Sequence, residues 1–299
     1  MIIERNIRFG DTLSPLWKWL AFYLLLCVGV CVAELELGWK VGLPTVEITL
    51  IGTALSILMG FRVDAAYQRW WEARKIWGEV VNSSRSFARE AIGFLQVQEE
   101  TNGGAEKLVY RQIAFVHAMR LHLRKQTEHY DEIKPFLSED EAAKALGKVT
   151  VPNELLLLHL KQLRGYHQKG LLSDYLFAKI EEVIVVLTDQ MGKAERIKNT
   201  PFPVPYSYFS YLSVHIFACL VPFGLVKELG YITIPIAMIV IFIFVIIELI
   251  ALEIQDPFEG RDNDTPMTTI SRNIEIDLKD MLDERSLPEK EKPVDGVMM

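Results

Sequence analysis

The sequence predicts an all-α integral membrane protein, with four transmembrane helices and a cytoplasmic helical domain between the second and the third. Three observations lead there. Half of the 299 residues are apolar, and they lie in clumps rather than evenly. The clumps fall at about residues 15–33, 43–61, 209–226 and 231–252, each near the length that crosses about 30 Å of hydrocarbon. Between them the polar segments carry apolar residues at helical spacing, and no sustained alternation of period two marks a strand.

The first clump opens on Ser14-Pro15, a capping hydroxyl followed by proline at the first helical position. It has no small-residue cleavage site, because Ala33 is followed by Glu34, Leu35 and Glu36, so it reads as a retained span and not a signal peptide. Gly42-Leu43-Pro44 turns the chain into the second span. Lys18, Glu47 and His215 lie inside three of the clumps, and such residues normally face a bundle interior or water. The fourth clump holds one charge, Glu248, near its end. The second passes at Gly60-Phe61-Arg62 into a charge-rich run with no proline, which predicts a helix that leaves the membrane and continues into water.

Beyond Trp77 the residues predict helices over 78–98 and 105–126, separated by Thr101-Asn102-Gly103-Gly104. A short one opens at Ser138 and ends at Gly147, and another runs from Val151 to near Gly165. Ser173-Asp174 caps the next, which continues to about Lys198 with Ile180, Val183, Ile184, Leu187 and Met191 as its apolar stripe. Three alternating prolines in Asn199-Thr200-Pro201-Phe202-Pro203-Val204-Pro205 favour an extended re-entry segment. The cytoplasmic region therefore covers 62–205 and a tail covers 253–299, the tail being helical from Ile274 to Asp283.

Basic residues set the orientation. Arg5, Arg8, Arg62, Arg69, Arg74, Lys75, Lys193, Arg196 and Lys198 flank the spans on one side, and the opposite connections hold only Lys40 and Lys227. Both termini and the middle region are expected in the cytoplasm. The tail from Glu253 has thirteen acids against six bases, which is the whole net charge of −7, and it reads as a solvated segment. Nothing points to nucleic acid. Cys27, Cys31 and Cys219 lie in apolar clumps and read as buried thiols.

An enzyme finds no footing. The six histidines have no metal spacing, and there is no phosphate loop, nucleophile elbow or cofactor motif. No cofactor is expected. Glu253, Asp256 and Asp264 are oxygen ligands of the right kind for calcium, but their spacing is not that of an EF-hand.

A helical wheel of about 100° per residue is more informative. Thr53, Ile57 and Phe61 share one face, and Asp64, Gln68 and Glu72 continue it past Arg62, with Lys75 close by. In one copy these are packing residues. In several copies around an axis they become rings, apolar ones that gate by dewetting and acidic ones that favour cations.

Four segments carry a family resemblance. They are Met59-Gly60-Phe61-Arg62 with Tyr67 to Gly78, Glu195 to Tyr206, Leu220-Val221-Pro222-Phe223-Gly224, and Glu253 to Phe258. In this order and separation the chain resembles the bestrophins, particularly the bacterial ones, over about residues 1–275 of a single unit spanning 1–299. The resemblance implies a homopentamer around one central pore. It implies a neck at Thr53, Ile57 and Phe61, although Thr53 departs from the usual aliphatic or aromatic side chain. Counting back from Tyr206, it implies a cytoplasmic aperture at Ile184. Where animal members hold calcium, Gly260 and Arg261 replace acids, so the channel is expected to be calcium-independent.

The combined expectation is a passive channel in a bacterial inner membrane, with lipids, permeant ions and its own copies as partners. It favours monovalent cations such as Na⁺. The alternatives are a chloride channel of the same build and a membrane-anchored scaffold or sensor without conductance.

Overall fold

The computed structural model describes residues 16–95, 103–294 and 296–298. The expected helix start at Ser14-Pro15, the basic Arg5 and Arg8, and the Thr101-Asn102 break lie outside these. Among the described residues the regular elements are helical, and strand pairing is limited to an isolated bridge between Val294 and Val297. The chain divides into two compact units, one from residues up to 70 with 201–256, the other from 71–200 with 257–298.

The first unit is the apolar one. Helix α1 (Trp17–Leu35) buries Tyr23, Cys27, Val30 and Cys31, a single stripe at spacings of four, three and one. In the last turn of α1 the Glu34 carboxylate accepts from the backbone N–H groups of Val41 and Gly42, both at 2.8 Å, which ties down the connection to the next helix. Helix α2 (Thr45–Leu95) is one uninterrupted element of 51 residues. At 1.5 Å per residue it is about 77 Å long, more than twice the hydrocarbon thickness. The helix expected over 78–98 is not a separate element but its continuation, because Gly78 lies inside a run of good helix formers and Trp77 and Val80 are both core residues. The side chains of Thr49, Thr53 and Ser56 each donate to the carbonyl four residues back at 2.8 Å, so the hydroxyls of this apolar stretch are satisfied within the helix.

Helix α7 (Val204–Leu229), a 3₁₀ turn (Gly230–Ile232) and helix α8 (Thr233–Ile254) complete this unit. The two helices fold back on one another. Phe217 and Phe244 meet edge to face with ring centroids 4.9 Å apart, and Ser210 Oγ donates to Glu248 Oε2 at 3.0 Å. Helix α7 lies so close to α2 that a Cβ on Gly224 would stand 2.6 Å from Ile48. Three stretches, 17–35, 45–95 and the 204–254 hairpin, are long and apolar enough to cross a membrane by length and composition. Their outward residues are large and apolar, among them Trp17, Leu25, Phe209 and Ile239, as a surface facing lipid requires.

The second unit is built from the rest of α2 with α3 (Gly104–Leu123), a 3₁₀ segment (Thr127–Phe136), α4 (Glu139–Leu146), α5 (Val151–Gln168), α6 (Asp174–Asn199) and α9 (Met267–Asp280). Its core includes Trp77, Phe87, Phe115, Met119, Leu163 and Leu187. The N-termini follow local chemistry. Ser138 and Glu141 form a capping box, and Ser173 Oγ accepts from the Leu176 N–H at 3.3 Å. The 3₁₀ segment carries no sustained helical period and was not expected.

The tail departs most from expectation. Helix α9 begins at Met267, seven residues before Ile274, because its stripe is Met267, Ile270, Ile274 and Leu278. All four are buried in the core of this unit. This part of the acidic tail is therefore docked, and the residues that follow α9 are mostly exposed. Glu275 is buried with its carboxylate 2.7 Å from Arg272, 3.2 Å from His117 and 3.2 Å from Lys279.

Candidate ion-conduction face

Helix α2 has two unlike sides within the first unit. Ile48, Leu55, Met59, Arg62 and Ala66 are buried, a stripe that advances by seven, four, three and four residues. That stripe fixes what the opposite side must expose. Ile57 is 59 % and Phe61 67 % exposed, with Thr53 exposed one turn earlier. Asp64 and Gln68 continue the same side and are exposed, and Glu72 is partly exposed. Five of the six wheel positions thus share one unburied ladder within this unit, and Glu72, on the same helix, falls in the second. Leu50 extends it by a turn at the apolar end and was missed. The signal was available, since Leu50 falls between Ile57 and Phe61 on the wheel at about 100° per residue.

Thr53 has already committed its proton to the Thr49 carbonyl, so the ladder presents no free hydroxyl donor there. The charged half is less acidic than its letters suggest. The Gln68 amide donates to Asp64 at 2.6 Å, and Glu72 is paired with Lys75 one turn on. One carboxylate on this face is held by a salt bridge, which leaves Asp64 as the uncompensated acid of the three positions.

Ile184 sits differently. It lies on α6 in the second unit at 6 % exposure, packed into the core with Ile180, Leu187 and Met191. Val185, the next residue, is exposed. The count back from Tyr206 carries no information on the rotation of α6, and the core took Ile184.

Two of the three candidate oxygen ligands, Asp264 and Asp256, have other work. Asp264 Oδ2 accepts from the N–H groups of Gly260 at 2.7 Å and Arg261 at 3.1 Å, closing the turn in which Gly260 has a φ of +83°. Asp256 Oδ1 lies 3.7 Å from Arg69. Among the described residues no group of three or more His, Cys, Asp or Glu side chains is placed to hold a metal ion. The histidines also have structural partners: His122 meets Glu195 at 2.9 Å, and His159 is buried against Phe87.

Comparison with known proteins agrees along nearly the whole chain. Residues 6–280 match the sequence profile of the family described as Bacterial/Fungal Bestrophin protein. The voltage-dependent anion channel-forming protein YneE of Salmonella typhi is 33 % identical over 287 residues, covering 95 % of this chain and 92 % of that protein. The voltage-dependent anion channel-forming protein RSc3414 of Ralstonia nicotianae is 32 % identical over 270 residues, or 89 % and 87 % of the two chains. A crystal structure of a bacterial bestrophin homologue from Klebsiella pneumoniae superposes with a TM-score of 0.82 at 27 % identity, covering 89 % of this chain and 98 % of that one.

Proposed function

Because the chain belongs to the bacterial and fungal bestrophin family, we propose that this membrane protein is a passive ion channel in which copies of α2 surround one central pore. The observation that carries this reading is the ladder on α2. A surface of Leu50, Thr53, Ile57 and Phe61 that turns polar at Asp64 is costly on a solitary helix, and it becomes the wall of a pore when copies face one another. Five copies make the assembly, with four spans in each and both termini in the cytoplasm of a bacterial inner membrane. Thr53, Ile57 and Phe61 form the dewetting neck. The aperture belongs to the Ile184 turn of α6, through its exposed neighbour Val185.

The permeant ion is an anion such as chloride in the leading reading. The relatives named above are called anion channel-forming, and the Glu72–Lys75 pair removes one of the acids that a cation route would use. The expected preference for monovalent cations becomes the second reading. Asp64, exposed at the polar end of the ladder, favours it.

Purified protein in liposomes tests both readings at once. Flux under a KCl gradient is expected, with the reversal potential near the chloride equilibrium value. A reversal potential near the potassium value would replace the first reading by the second. Assembled protein without flux would leave the scaffold reading.

A further inference from the structure

Phe61 is exposed, and the residue after it is, among the described residues, the most deeply buried charge of the first unit. Arg62 is 0 % exposed and Glu248 on α8 is 3 % exposed. Arg62 Nη2 donates to Gln255 Oε1 at 2.7 Å, and its Nε lies 3.8 Å from Glu248 Oε1. Its guanidinium also sits 4.4 Å above the Phe202 ring. That ring is presented by the Pro201-Phe202-Pro203 segment, where flanking prolines restrict the backbone. Glu248 is held from its other side by Ser210 Oγ at 3.0 Å. Seven residues along α2, Arg69 Nε donates to the Gln255 carbonyl at 2.6 Å, and Arg69 also pairs with Asp256. Two arginines on one side of α2 therefore grip successive turns at the end of α8.

Adjacent residues on a helix are about 100° apart. Whatever fixes the direction of Arg62 therefore fixes the direction of Phe61, and of Ile57 one turn away. Apolar contacts such as Leu55 against its neighbours tolerate a small rotation, since one methyl replaces another at little cost. A charge in a low-dielectric interior does not, because leaving its partner costs far more than the pair itself contributes. The pair is also incompletely closed. Nε and Nη1 of Arg62 and Oε1 of Glu248 are buried with no hydrogen-bond partner, so if Glu248 loses its charge only Gln255 and the Phe202 ring remain to hold Arg62.

We propose that Arg62, held by Glu248 and Gln255, is a positioning residue that sets the rotation of α2 and so aims Ile57 and Phe61. This rests on the neck reading given above, in which those two side chains close the pore.

The test uses the full-length assembled protein with Cys27, Cys31 and Cys219 changed to alanine and a reporter thiol introduced as Ile57→Cys. The readout is the rate of its modification by a charged, water-soluble methanethiosulfonate. Adding Glu248→Gln is expected to change that rate about tenfold, equivalent to about 1.4 kcal/mol between a packed and a hydrated neck. Arg62→Lys, which keeps the charge but lacks the planar fork, is expected to move the rate in the same direction. Val245→Ala removes buried apolar volume one turn from Glu248 on α8; it is expected to lower the melting temperature and leave the rate alone. Unchanged rates in both charge variants would overturn the proposal, and so would an equal change in Val245→Ala. Wild-type protein without ion flux would refute the channel reading, while the modification rates would still decide whether Arg62 positions α2.

Discussion

At the scale of single residues, the neck and its charged extension make separable claims. Replacing Ile57 or Phe61 by alanine removes apolar volume that expels water, so single-channel conductance is expected to rise, by roughly threefold or more. Unchanged currents would remove both residues from the gate. Lys75→Gln frees the Glu72 carboxylate and adds one net negative charge per copy, so the reversal potential is expected to move toward the cation equilibrium value. The pairing at i, i+3 was legible from the letters, because Glu and Lys one turn apart are neighbours on any helix. The burial of Ile184 was not, since it depends on which side of α6 the rest of the core chose. The partner of Glu248 was also hidden. A lone intramembrane carboxylate announces that some partner exists, but Arg62 lies 186 positions away in the chain and only tertiary packing joins them.

At the scale of elements, apolar period was the dependable guide and the ends were not. Of the α6 stripe, Ile180, Ile184, Leu187 and Met191 are buried and Val183 half-buried, and Ser138 and Ser173 cap as their positions suggest. The continuity of α2 past Trp77 and the early start of α9 were set by packing that no local motif records. Helix α9 offers a stability test. Burial alone pushes the Glu275 carboxyl up, but the hydrogen bond from His117, the charge of Arg272 and the hydrogen bond from Lys279 outweigh it and hold the group below its ordinary value. A lowered folded value stabilises the protein above the ordinary carboxylate range, near pH 4.3, and the contribution disappears as pH falls through it. Glu275→Gln is therefore expected to cost roughly 3 kcal/mol at pH 7 and to flatten the loss of melting temperature below about pH 5. Equal pH slopes for the two proteins would contradict this. In the first unit, Gly224→Val forces side-chain atoms into Ile48, and overpacking of this kind is expected to cost about 1–3 kcal/mol in thermal unfolding.

At the scale of the whole molecule, the class of protein was the clearest message of the sequence. Clumped apolar runs, a charge-rich middle and four family segments by themselves point to a helical membrane channel. A homopentamer is expected by light scattering in detergent, and a tag on the C-terminus is expected to resist external protease in intact spheroplasts. A monomer, or a tag cleaved from outside, would contradict the proposed assembly or orientation. The two-unit division was less legible, because each unit is assembled from separated stretches of chain. That discontinuity has a consequence for biosynthesis. The second unit completes its core only with Met267, Ile270, Ile274 and Leu278, which leave the ribosome after the whole 204–254 hairpin. At ordinary elongation rates, on the order of 10 s separates the end of α6 from the end of α9. During that interval the nascent unit exposes an unfilled apolar groove, so a message truncated before codon 267 is expected to yield a chain that quality-control proteases remove, even though every residue of the conduction face has already been made.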